Sequence, residues 1–306
     1  MAYPDDFFQT VLEVGNAVAD RYVGETALIS RVYTDFRLEP GRAGDQVDLP
    51  FPGAIEFADR KNQDLNIQPL QSTRKSITLQ QQPTASWEVR EFDQYRAYPH
   101  LIRDQFLDPA LKAGAEYLNQ QIASLFAPAL FNVHAAIPSA AAVTIKLSQI
   151  QAAWVKLAQA KVPVRDHGHF TLAVNPLIYG NLAGDPDFNQ ASLVGVEAAE
   201  TARRRALVVN QFGAEVVMDH DMPISPSNYS SALFHRHAIG LVLRPLEVPP
   251  AATGVLGSYL NYRGIPFRLM LSYDFHRRSW IMALDFVFGL TVLRPEACCL
   301  ILSNKS

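Results

Sequence analysis

The period of the apolar residues changes at the centre of the chain. Trp87 and Val89 alternate with Ser86, Glu88 and Arg90, which predicts a half-buried strand. Further on, Leu111, Ala115, Leu118, Ile122 and Leu125 recur at steps of four and three. That spacing lines one face of a helix, with Lys112, Glu116, Asn119 and Gln120 turned elsewhere. Asp108-Pro109 predicts its start, an N-cap acceptor ahead of a proline whose fixed φ suits the first turn. A helix of about twenty residues spans roughly 30 Å and can brace everything around it.

Residues 1–40 read as an arm. Asp6 and Gln9 form a capping-box pattern, and Phe8, Val11, Leu12 and Val18 keep helical spacing up to Gly24. An extended tail follows to Pro40. One helix and a tail cannot bury their own apolar side chains, so the arm must lie on the main body or on another subunit. Gly41 to Gly44 predicts a turn. Val47, Leu49 and Phe51 then alternate, and Pro50 and Pro52 restrict them to an edge strand. A polar stretch with Asp59, Arg60, Lys61 and Asp64 leads to a returning strand at Ile77 and Leu79. The pattern is a two-stranded excursion with a polar tip and little core of its own, the kind of projection that contacts something else.

Beyond the long helix, small residues at Ala135–Ala142 predict a connector. Ser148 with Gln151 predicts a capped helix carrying Ile150, Trp154 and Leu157 and ending before Pro163. Phe170, Leu172 and Val174 predict a strand, Asn175-Pro176 a short helix through Tyr179, Leu193–Leu207 a helix, and Gly213–Met218 a strand. This alternation suggests an α/β lobe over residues 143–230. The last third is β-rich. Ile239, Leu241 and Leu243 alternate, and Pro249-Pro250 to Gly257 reads as a break. Ile265, Phe267, Leu269, Leu271, Tyr273 and Phe275 then alternate up to a turn at His276–Ser279. Trp280, Met282, Leu284, Phe286, Phe288 and Leu290 continue the pattern after it, which predicts a long hairpin.

Composition narrows the function classes. The chain has 306 residues, 48% hydrophobic and 19% charged, so it can bury a sizeable core. Its net charge of −3 gives no electrostatic case for a nucleic-acid-gripping surface. Cys298 and Cys299 are adjacent, which suits neither a disulfide between them nor a zinc site, and they read as buried strand residues. Asp5 and Asp6 stand where a secretion signal would be basic, and no apolar run is long enough for a bilayer.

Candidate chemistry is sparse. No phosphate-binding glycine loop, dinucleotide fingerprint, zinc-protease helix or nucleophile elbow is present. The histidines offer one constellation: Asp166, His167 and His169; His220 between Asp219 and Asp221; and His235 with His237, which share a face if both lie on one strand. A metal-dependent hydrolase could be assembled from them, or they are loop and surface histidines beside solvated carboxylates. Arg203–Arg205 suits phosphate, although such a run is more often a solvated helix end or an intersubunit ion-pair patch. Lys61 is either reactive or simply exposed. Trp87, Trp154 and Trp280 sit at periodic core positions. On these grounds no catalytic, cofactor-binding or metal residue is assigned, and no cofactor or enzymatic activity is expected.

Three stretches together resemble the major capsid proteins of tailed double-stranded DNA bacteriophages, of the Hong Kong 97 type fold. They are Ile77–Phe126, Phe234–Leu246 (FHRHAIGLVLRPL) and Gly264–Leu302, the last containing YDFHRRSWIMALDFVFGLTVLRPEACCLIL. The third is similar to the closing segment of podovirus-type coat proteins. The resemblance implies an α+β fold with an N-arm at 1–40 and an extended β-hairpin E-loop at 41–85. It implies a peripheral domain with a spine helix at 86–142 and an axial domain at 143–230. Residues 231–306 would return through the peripheral sheet and end near the axial domain.

The implied function is self-assembly into an icosahedral shell of hexamers and pentamers around packaged DNA. The implied partners are further copies of the chain, a separate scaffolding protein, a portal protein, the packaged DNA without specific recognition, and a decoration protein, with no membrane. The implied location is the virion capsid, after assembly in the host bacterial cytoplasm. The family's lysine–asparagine cross-link has no matching site here. An encapsulin-type compartment shell shares the fold and is the nearest alternative, and the metal-dependent hydrolase is the distant one.

Overall fold

The computed structural model describes residues 26–34, 46–52, 72–90, 107–131, 133–136, 145–164, 168–185, 212–224, 228–250 and 254–304. The expected N-terminal helix, the turn at 41–44, the excursion tip, the helix at 193–207, Asp166, His167, Arg203–Arg205 and Lys61 lie outside these residues.

The predicted spine is helix α1, Asp108–Ser124, 17 residues long and so about 26 Å. Leu111, Ala115, Leu118 and Ile122 are buried as their spacing predicts. Two expectations fail. Asp108 is not the cap: Leu107 before it already has helical dihedrals (φ −71°, ψ −47°), so Asp108 is the first helical residue. Asn119 does not face outward but is fully buried. It stands four residues from both Ala115 and Ala123, on the small-residue edge of the apolar face.

Helix α1 crosses an antiparallel sheet of order β3 (Thr84–Arg90), β11 (Ser279–Asp285), β10 (Ile265–Asp274), β9 (Val255–Tyr262). The approach is close: a Cβ on Gly114 would stand 2.7 Å from a ring carbon of Phe267. The β10–β11 hairpin pairs Asp274 with Ser279, where alternation predicts it. The second run does not continue as one strand. Leu284, Asp285, Phe286, Val287 and Phe288 are all buried, because the chain passes between two layers there. It emerges as β12 (Val287–Val292), paired with β8 (Ile239–Arg244). The expected break at 249–257 also ends early, since Val255 already belongs to β9. Arg263 and Gly264 make the tight β9–β10 turn, both at positive φ (53° and 81°), the conformation such two-residue turns require.

The excursion is present as β1 (Gln46–Pro52) antiparallel to β2 (Ser72–Thr78). Among the described residues β1 pairs with β2 alone, as its prolines demand. Its root is anchored. Val47, Ile77 and Leu79 form a small separate core with Val242, Val287 and Leu293. Gln81 and Phe288 exchange backbone hydrogen bonds at 3.3 and 3.0 Å, and Lys75 Nζ donates to the Leu293 carbonyl. Gly289 is required here, because a Cβ would lie 2.7 Å from the Thr78 carbonyl oxygen.

A second sheet has the order β4 (Val133–Ala136), β13 (Cys298–Asn304), β7 (Asn228–His235), β5 (Phe170–Val174), β6 (Ala214–Met218). The β4–β13 and β5–β6 pairs are parallel and the other two antiparallel. Ala135 and Ala136 are therefore strand rather than connector, because β13 supplies a partner from the far end of the chain. Cys298 and Cys299 are buried and free, and burial, then the neighbouring Cys299, pushes the Cys298 thiol well above its usual range. Helix α2 (Leu147–Gln159) packs on β13 and β4. Its cap lies earlier than expected: Lys146 is still extended, and its N–H donates to Gln149 Oε1 at 2.8 Å, so Ser148 is already helical. Helix α3 (Pro176–Gly184) starts as predicted, with Leu177 N donating to Asn175 Oδ1 at 3.0 Å, and runs past Tyr179.

Residues 26–34 lie across the body. Leu28, Ile29 and Val32 are buried in the main core. Thr26 Oγ1 accepts from Arg263 Nη1 at 2.8 Å, Arg31 pairs with Glu215, and Tyr33 exchanges backbone bonds with Ile239 and Leu241 at 3.0 Å each. Trp87, Trp154 and Trp280 pack against the core at its margin. Among the described residues no helix is long and apolar enough to cross a membrane.

Candidate functional site

Polar side chains gather at three places, and α1 supplies the centre of the first. Asp219 follows β6, held by its N–H to the Val174 carbonyl at 2.9 Å. Asn119 Nδ2 donates to both oxygens of Asp219 (3.1 and 2.9 Å) and to Asp221 Oδ2 (2.8 Å). Asn119 Oδ1 accepts from Leu28 N at 3.2 Å. One buried amide thus joins α1, the end of β6 and the 26–34 strap. Burial raises the Asp219 carboxyl above the ordinary carboxylate range, against the bonds from Asn119 and the Asp221 N–H, which lower it. His220 Nε2 stands 3.3 Å from Asp221 Oδ1.

The ligand atoms of Asp219, His220 and Asp221 lie within 4.8 Å of one another, as a metal site would need. The donor set does not fit one. The Asn119 N–H groups already point at the carboxylate oxygens a cation would have to take.

The second place is a column of rings. His235 ends β7, and His237 lies in the following 3₁₀ turn rather than on the same strand, yet their rings stack at 5.1 Å. Tyr33 stacks on His237 at 4.8 Å, and His169 lies 6.0 Å from His235. His237 N donates to His235 Nδ1 at 3.2 Å, so that ring nitrogen acts as an acceptor. These histidines meet, but among the described residues none joins a three-ligand cluster, and His220 is in the other group.

The third place is the Arg268–Asp285 pair on β10 and β11, with Nε to Oδ1 at 2.9 Å and a second bond from Nη2 to Oδ2. Arg268 Nη1 also donates to the Glu247 carbonyl, and Gln82 Nε2 donates to Asp285 Oδ2 at 3.2 Å. Residues 246–248 close over this face, with Val248 N on Tyr259 Oη at 3.3 Å and Tyr259 Oη on the Leu246 carbonyl at 3.1 Å. The signal for this pair was present in the sequence. Counting outward from the β10–β11 turn places Arg268 opposite Asp285.

None of these clusters holds a nucleophile beside a base. Among the described residues, the β10–β11 tip carries a large exposed apolar side chain, Phe275, which is 79% exposed. Asp274 Oδ1 holds the tip by accepting from His276 N at 2.9 Å and Arg277 N at 3.3 Å.

A family model described as phage capsid protein matches residues 84–301. The fold is similar to a chain of Mycobacterium phage Che8, with TM-score 0.62, 16% identity, and coverage of 91% of this chain and 98% of that one. It is similar to the capsid structure of cyanophage P-SCSP1u, with TM-score 0.64, 15% identity and coverage of 94% and 93%. It is also similar to the capsid of Ralstonia phage GP4, with TM-score 0.61, 12% identity and 94% of each chain. No curated protein sequence matches the chain.

Proposed function

The chain belongs to the phage capsid protein family, and we propose that the shell it builds encloses a double-stranded DNA genome. It is a major capsid protein of tailed phages, with the α+β fold of Hong Kong 97 type, and its copies associate into an icosahedral shell in the virion. Neither the encapsulin-type compartment nor the metal-dependent hydrolase gains support from the relatives. The observation that carries the assembly reading is the anchoring of the β1–β2 ribbon. Its root has its own core against β8 and β12, so the ribbon can reach away from the body without loosening it.

We assign residues 1–40 to an N-arm, 41–85 to the E-loop that overlies a neighbouring subunit, and 86–142 to the peripheral domain with α1 as its spine. Residues 143–230 form the axial domain and 231–306 the returning segment. The placement of β13 among β4, β5, β6 and β7 supports the last assignment. The chemistry is geometric and not enzymatic. Apolar area buried between subunits contributes roughly 25 cal/mol per Å². Closure multiplies individually modest contacts. A separate scaffolding protein, a portal, a decoration protein and assembly in the host bacterial cytoplasm complete the proposal. The net charge of −3 fits a wall that holds DNA without gripping it.

Electron microscopy of the protein expressed alone and with its scaffolding partner tests this reading. Closed shells of uniform size are expected with the partner. Unassembled subunits in both preparations would overturn it.

A further inference from the structure

Ile77 keys the ribbon into the body through two glycines. Its side chain is fully buried at the root of β2. A Cβ on Gly240 of β8 would stand 3.0 Å from Ile77 Cδ1, and one on Gly289 of β12 would stand 2.8 Å from Ile77 Cγ2. Leu293 fills the remaining space over Gly240, with Cδ1 2.8 Å from the same Cβ position. The ribbon's root therefore rests directly on the backbone of the β8–β12 pair.

The strap at 26–34 meets the body at the same glycine. Tyr33 bridges Gly240 in parallel register. Its N–H donates to the Ile239 carbonyl and its carbonyl accepts from Leu241 N, at 3.0 Å each. Tyr33 also packs against the small core at the ribbon's root and stacks on His237. Lys75 closes the circuit from the ribbon side. Its ammonium donates to the Leu293 carbonyl, and Leu293 N donates to the Ala238 carbonyl at 2.8 Å, one residue before the Ile239 that Tyr33 holds. Strap and ribbon are thus fastened to one short stretch, 238–241, from two sides.

This junction has little room to absorb a displacement. Close-packed interiors pass a shift on to their neighbours instead of deforming smoothly. The core beneath is also small: Val47, Ile77, Leu79, Val242, Val287 and Leu293, with Tyr33 and Leu246 as its partly buried cover. Lifting Tyr33 removes part of that cover and frees the stretch on which Ile77 is seated.

We propose that the strap and the ribbon are coupled through this junction, so that seating Tyr33 fixes the ribbon's root and releasing the strap loosens it. The coupling is a property of one subunit. Its use in a shell, where a neighbour that takes the strap frees the ribbon to move, rests on the assignment of the N-arm and the E-loop.

The test is hydrogen exchange on the unassembled full chain, read in both directions, because a coupling between two sites is reciprocal. Tyr33→Ala should accelerate exchange in β2, and Lys75→Met should accelerate it at Leu28–Tyr33. Each effect should be about fivefold or more, measured against the amides of β7. The β7 reference separates coupling from a general loss of stability. Tyr33→Leu keeps part of the apolar cover and still reports if the alanine variant fails to fold. Acceleration confined to the altered segment in either variant overturns the coupling, and so does acceleration that includes β7 to the same extent. The readout uses single subunits, so it stands apart from shell formation, which electron microscopy reads.

Discussion

Arg268 and Asp285 face each other across the β10–β11 pair, joined by two hydrogen bonds, and both are buried under residues 246–248. A buried pair of this kind is costly to break by halves, because the survivor keeps its charge without a partner. Asp285→Ala should lose about 3–5 kcal/mol in urea unfolding of the unassembled subunit. The double variant Arg268→Met, Asp285→Leu should recover much of that loss. A single variant with unchanged stability would show that the pair does not hold the sheet.

Asn119 ties its own helix to two segments far from it in sequence, the strap at Leu28 and the turn at Asp219 and Asp221. Asn119→Leu strands the Leu28 N–H and takes one donor from each of two carboxylates, at a cost of about 2–4 kcal/mol. Hydrogen exchange should then accelerate at Leu28–Tyr33 before it does in β5 or β7. Equal protection of the strap in both proteins would mean that its apolar contacts suffice.

The Asp219 carboxyl has its folded value raised above its unfolded one, chiefly by burial. The folded state therefore holds this proton at a pH where the unfolded state has released it. The contribution is fully present below the unfolded value and is lost as pH rises through the raised folded value. Across that window the wild-type stability should rise less steeply with pH, or fall more steeply, than that of Asp219→Asn. Parallel curves from urea unfolding at a series of pH values would refute the assignment.

Gly289 leaves no room for a side chain beneath β2. Gly289→Ala places a carbon against the Thr78 carbonyl and should cost about 1–3 kcal/mol through forced backbone movement. Because the strain falls on the ribbon's root, shell yield should drop more than subunit stability. Sedimentation of assembly reactions measures the first and thermal unfolding the second.

Removing residues 58–69 leaves β1 and β2 themselves untouched. The subunit should fold as before while shells fail to close. Normal shells from this deletion, seen by electron microscopy, would exclude the excursion from intersubunit contact.

What the sequence disclosed follows physical range. The β10–β11 hairpin was legible because alternation and a turn are local, and the α1 face because helical spacing is local. The exit of the chain at Phe286 was not, since alternation states which residues point inward but not which strand they pair with. The β4–β13 pairing joins the middle of the sequence to its last strand, and nothing near Val133 announces it. The polar groups divide in the same way. The Asp219, His220 and Asp221 group is contiguous and was visible as a cluster, whereas Asn119, which organises it, looked like one more polar residue on a helix. His235 and His237 were paired correctly in space for the wrong reason, through a turn rather than a strand.

The position of β13 sets a timetable. It fills the gap between β4 and β7, so until residues 298–304 leave the ribosome those two strands show open edges to each other and to any other chain. Among the described strands of the second sheet, β13 is thus the last to be made. A polypeptide interrupted before Cys298 lacks the strand that joins the sheet's two halves and cannot present a finished subunit to its neighbours.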